Sequence, residues 1–93
     1  MSLPLDPISI ESASPFRLSM LADQCLQANN LKCAQQILIH LSQLDANDVY
    51  SLERLIKVNE KLGLKEESKR LFQRAIAIAP RYIPFIEMEE RFL

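Results

Sequence analysis

The sequence predicts an all-α fold of antiparallel helical hairpins, about five helices in all. Three observations predict it. Apolar residues recur three and four positions apart, which gathers them on one face of a helix instead of alternating them across a strand. The 93 residues include a single glycine, Gly63, whereas turn-rich β folds and phosphate-cradling loops need several. Side chains of like bulk also return after a shift of 34 residues, the mark of one helical hairpin used twice.

Each element follows from local chemistry. Residues 1–14 carry Pro4 and Pro7, which remove backbone donors and bias their predecessors to extended geometry. They form an extended or disordered N-terminal arm whose Leu3, Leu5, Ile8 and Ile10 suit it to lie on its own helices or on a partner. Ser14 before Pro15 is an N-cap followed by a first-turn proline, and Leu18, Leu21, Ala22 and Cys25 then mark one helical face. Asn29-Asn30 ends that helix, because asparagine tolerates the left-handed geometry of a helix end. A second helix starts near Leu31 and buries Ala34, Ile37, Leu38, Leu41 and Leu44. Residues 45–48 are a polar turn. The third helix carries Leu52, Leu55, Ile56 and Leu62 and stops at Gly63. The fourth, from about Lys65 to Ala79, turns Ser68, Leu71, Phe72, Ala75 and Ile78 inward, and Pro80 closes it. A fifth spans 83–93 with Pro84 in its first turn.

Under the 34-residue shift Leu18 falls on Leu52, Leu21 on Leu55, Ala22 on Ile56 and Asn29 on Gly63. Further on, Ala34 meets Ser68, Ile37 meets Leu71, Leu38 meets Phe72, Leu41 meets Ala75, Leu44 meets Ile78, and Ala46 meets Pro80. The chain therefore divides into repeat 1 (15–48), repeat 2 (49–82) and a terminal capping or docking helix (83–93). Small residues such as Ala34, Ser68 and Ala75 let helices approach, and Leu38 and Phe72 fill the wedge to the next hairpin. A lone hairpin cannot bury its apolar face, so neighbours must stack.

Composition excludes several classes. A formal net charge of −1 gives no general attraction to nucleic acid or anionic membrane. No apolar run approaches the roughly 18 residues of a spanning helix, so the expectation is a soluble cytoplasmic chain. Cys25 and Cys33 lack the C-x-x-C pairing of zinc modules. They read as buried or half-buried free thiols, with a disulfide as the alternative. His40 has no nucleophile beside it in sequence and reads as exposed, and the adjacent carboxylates Glu66-Glu67 and Glu89-Glu90 point to different sides of a helix. No catalytic constellation, cofactor motif or metal-ligand set is expected, and the chain is not read as an enzyme. Residues 1–48 hold two cations against five anions, and residues 49–93 hold nine against seven. The basic second repeat reads as a solvated face with pairs such as Lys57 to Glu60 and Glu66 to Arg70. An acidic protein partner ranks next and nucleic acid last, because aromatic interleaving is missing.

The second copy resembles the tetratricopeptide repeat: Leu52, Leu55 and Ile56, then Gly63, then Ser68, Phe72, Ala75 and Pro80 stand where that family has its first-helix apolar residues, glycine, small residue, aromatic, alanine and proline. The chain departs from the family where a large aromatic is Leu18 or Leu52, where a small residue is Ile56, and where a tyrosine is Cys25 or Asn59. The resemblance covers about Pro15 to Tyr82. It implies a short right-handed superhelix and a concave groove, lined by the first helix of each hairpin, that binds a helical or extended segment of a protein partner. Periodicity puts Phe16, Ser19, Asp23 and Leu26 of the first repeat there, with Tyr50, Glu53, Lys57 and Glu60 of the second. The carboxylate clamp by which some family members hold heat-shock chaperones is missing, since Ser19, Asp23 and Arg54 stand in its place. The terminal helix adds Phe85, Met88 and Phe92, with Ile86 and Leu93 widening the stripe, as a second docking surface or a route to a homo-oligomer. The expected role is a non-catalytic adaptor or small chaperone. A subunit or fragment of a larger repeat scaffold and a helical-repeat RNA-processing module are the alternatives.

Overall fold

The computed structural model describes residues 13–92, so the N-terminal arm lies outside the described residues apart from Ala13 and Ser14, and Leu93 lies outside them as well. Five helices follow in order: α1 (Pro15–Gln27), α2 (Leu31–Leu44), α3 (Val49–Lys61), α4 (Lys65–Ile78) and α5 (Ile83–Phe92). There are no strands among the described residues. Each helix packs mainly on those before and after it in the chain. The long dimension of 37 Å exceeds the roughly 21 Å length of a 14-residue helix, so the hairpins spread along an axis.

The 34-residue period holds in the backbone. The bounds of α3 and α4 are those of α1 and α2 moved on by 34, and α5 begins 34 residues after α3. Ser14 caps α1 by accepting the Arg17 N–H at 3.2 Å, and Asp48 caps α3 by accepting the Ser51 N–H at 3.1 Å. The first helix of each hairpin ends alike. Asn29 N–H donates to the Leu26 carbonyl and Asn30 N–H to that of Cys25; Gly63 N–H donates to Glu60 and Leu64 N–H to Asn59. This is the Schellman pattern, which needs a left-handed residue, and Asn29 (φ 56°) and Gly63 (φ 81°) supply it. Asparagine carries a Cβ penalty there that glycine avoids. Asn29→Gly is therefore expected to stabilise the chain by about 0.5 kcal/mol, and Gly63→Ala to cost about 1 kcal/mol, in thermal or urea unfolding. A Cβ at Gly63 meets nothing within 4 Å, so that cost is one of backbone conformation alone.

Among the described residues two apolar clusters form the core. Leu18, Ala22, Cys25, Ile37 and Leu38 from the first hairpin join Leu55 and Val58 of α3. Leu52 and Ile56 of α3 join Phe72 and Ala75 of α4 and Phe85 and Met88 of α5. Thus α3 contributes to both clusters and links the hairpins. Ser68, fully buried, donates its hydroxyl to the Ile56 carbonyl at 3.1 Å. That bond satisfies a polar group at the close approach of α3 and α4.

Several expectations are corrected. Cys25 and Cys33 are joined as a disulfide that ties α1 to the first turn of α2, with Cα atoms 5.9 Å apart, and are not free thiols. Closing so short a loop is worth about 2–3 kcal/mol by chain entropy. Leu44 is exposed and belongs to neither cluster. Lys57 pairs with Glu53, one turn back, instead of Glu60, and Arg70 pairs with Glu67 instead of Glu66. Glu60 is taken by Arg91 of α5 through two bonds of 3.0 Å, a fork that outcompetes one exposed lysine. His40 is half-buried, not exposed.

Candidate functional site

Polar bonds between side chains far apart in sequence bridge the first helices of the two hairpins. Arg54 joins α3 to α1. One terminal nitrogen donates to the Asp23 carboxylate at 2.8 Å and to the Ser19 carbonyl at 3.3 Å. The other donates to the Ser19 hydroxyl at 3.0 Å and to the Ser51 hydroxyl at 3.3 Å. The guanidinium also sits 4.1 Å from the centre of the Tyr50 ring, a cation–π contact that fixes the ring's orientation. Arg54 is only 7% exposed, and its Nε is buried without a hydrogen-bond partner among the described residues. On the other side of α3, the Tyr82 hydroxyl, just before α5, donates to Glu53 at 2.8 Å.

These bonds sort the expected groove residues. Phe16 (76% exposed) and Tyr50 (50%) are open to solvent, one repeat apart in register. Ser19 and Asp23 are half-buried and engaged by Arg54. Glu53 is half-buried between Lys57 and Tyr82, and Lys57 is exposed. Leu26 packs against the first cluster and serves the core. Two contributors escaped sequence reasoning. Met20 is 49% exposed one turn after Phe16, a spacing that was available as a signal. The role of Arg54 was not legible, because Ser19 and Asp23, which it joins to α3, lie more than thirty residues away in sequence.

The acids of this face are neutralised internally: Asp23 by Arg54, Glu53 by Lys57 and Glu60 by Arg91. What α1 and α3 present is a pair of aromatic rings and a methionine among paired carboxylates, with Arg17 and Lys61 also exposed. On α5 the expected docking residues are not available. Phe85 and Met88 are buried and Phe92 is half-buried, stacked on Phe72 with ring centres 5.0 Å apart. They cover the second hairpin, because that hairpin's apolar face needs a cover. The exposed apolar residues of α5 are Ile83 and Ile86 instead.

The bond to Glu53 raises the Tyr82 pKa above its usual 10.0, with burial and the negative charge of Glu53 adding to it. The folded state thus holds the phenol proton more tightly than the unfolded chain. The resulting stability is fully present below pH ~10 and is lost as pH climbs through the folded value. Urea unfolding at pH 9 and pH 11 should show a smaller alkaline loss for Tyr82→Phe than for wild type.

Among the described residues no three His, Cys, Asp or Glu side chains converge as a metal site. No helix there is long and apolar enough to cross a membrane. Comparison with protein-family models, curated proteins and solved structures finds no match to this chain.

Proposed function

We propose that this chain is a non-catalytic interaction module of tetratricopeptide type, an adaptor or small chaperone that holds a segment of a partner protein against the α1–α3 face. The observation that carries the reading is the pairing on that face: three carboxylates each hold a cation, while Phe16, Met20 and Tyr50 remain open. Such a surface discriminates by apolar and aromatic contact, and suits an amphipathic helix or an extended segment with large side chains. Methionine adapts to irregular partners. The rings are anchored differently: Tyr50 is held by Arg54, and Phe16 projects from the first turn of α1.

The cytoplasmic location is likewise a proposal, and the Cys25–Cys33 disulfide weighs against it, since cytosolic thiols are kept reduced. The test is affinity capture from a lysate of the source cell followed by mass spectrometry. Wild type is compared with Tyr50→Ala and with Arg74→Ala, an exposed residue of α4. One or more partners should be lost with Tyr50→Ala and kept with Arg74→Ala. An identical captured set for all three proteins would reject the face.

A further inference from the structure

The repeat register shows what kind of element suits the outer edge of α5. Leu18, Leu52 and Ile86 occupy one register, and Ala22, Ile56 and Glu90 the next turn. Leu18 and Ala22 are fully buried in a cluster shared with α3, and Leu52 and Ile56 in one shared with α5. Ile86, by contrast, is 46% exposed and Ile83 66%, and Glu90 is exposed. An element seated on α5 as α5 is seated on α3 would cover the isoleucines and desolvate Glu90. A carboxylate is buried at tolerable cost only against a cation. The cation of α5 itself, Arg91, is drawn off to Glu60, and Glu87 and Glu89 add further negative charge along the same helix.

Two occupants are disfavoured by charge. Residues 1–12 contain Asp6 and Glu11 and no Lys or Arg, and a twofold pairing of α5 with α5 of a second copy would set glutamates against glutamates. We propose that this edge docks a cationic amphipathic helix of another protein, with its apolar stripe on Ile83 and Ile86 and a Lys or Arg reaching Glu90.

The test uses fluorescence anisotropy with two labelled peptides of about four helical turns, one built of Leu and Lys and one of Leu and Glu, added to the full chain. The Leu/Lys peptide is expected to bind, and to bind about tenfold or more weakly to Ile86→Asp and to Glu90→Lys. Tyr50→Ala should leave its affinity unchanged, which separates this edge from the α1–α3 face. Both edge residues are exposed, and circular dichroism of each variant checks that it folds before binding is measured. The proposal is overturned if either variant binds the Leu/Lys peptide as wild type does, or if the Leu/Glu peptide binds equally well. Concentration-dependent dimerisation that Ile86→Asp abolishes would also overturn it, by assigning the edge to a second copy.

Discussion

Phe72→Ala is expected to cost about 3–5 kcal/mol, the range for truncating a fully buried aromatic ring. Phe72 is 0% exposed, stacks on Phe92 and shares its cluster with residues of α3, α4 and α5. Its removal therefore empties the wedge between the second hairpin and the terminal helix. A domain of this size has about 5–15 kcal/mol in all, so the urea midpoint should fall by a large fraction of its wild-type value. Phe92→Ala should cost visibly less, because that ring is only half-buried. Equal losses would place the wedge elsewhere.

Arg54→Ala is expected to cost about 2–3 kcal/mol. Breaking a buried ion pair reaches the upper end of such losses when a charge is stranded. Here the Asp23 side chain is 46% exposed and recovers hydration by turning outward. What is lost is the set of bonds to Ser19 and Ser51, the stem's packing and the support of Tyr50. Arg54→Met keeps most of the stem and should cost less than alanine, while Arg54→Lys restores the charge without the fork and should not recover wild-type stability. If methionine matched or exceeded wild type in urea unfolding, the polar network would be a device of register and ring orientation, not of stability.

How much of this was legible depended on the range of the interaction. Leu18 and Leu52, Ala34 and Ser68, and Asn29 and Gly63 were readable, because helix periodicity and capping act within a few residues and the 34-residue shift tests each inference twice. Ser51 and Asn59 are buried and polar, which apolar periodicity does not mark. The side-chain oxygen of buried Asn59 is satisfied by accepting from Gln35 of α2 at 2.8 Å. The ion pairs went astray for a related reason. Helical spacing offers Lys57 both Glu53 and Glu60, and only the approach of Arg91 from α5 decides between them. For the groove, periodicity placed Phe16 and Tyr50 on the open side and misplaced Leu26, which stands at the margin of the first core. On α5 it grouped Ile86 with Phe85, Met88 and Phe92, whereas Ile86 is exposed and the other three face the second hairpin; no periodicity tells a residue that covers a neighbour from one that awaits a cover. Phe85 and Met88 are the former, Ile83 and Ile86 the latter.

The bridge from α3 to α1 through Arg54 underlies both the stack and the open face. Isotope-edited NOE spectroscopy on the full chain measures it directly. Contacts from the Arg54 side chain to Ser19 and Asp23, and from Tyr82 to Glu53, are the result predicted, with the Phe16 and Tyr50 rings broadened by a soluble paramagnetic agent while Phe72 and Phe85 are spared. Contacts joining α1 to α4, with Arg54 free of α1, would instead describe a closed bundle and contradict the account.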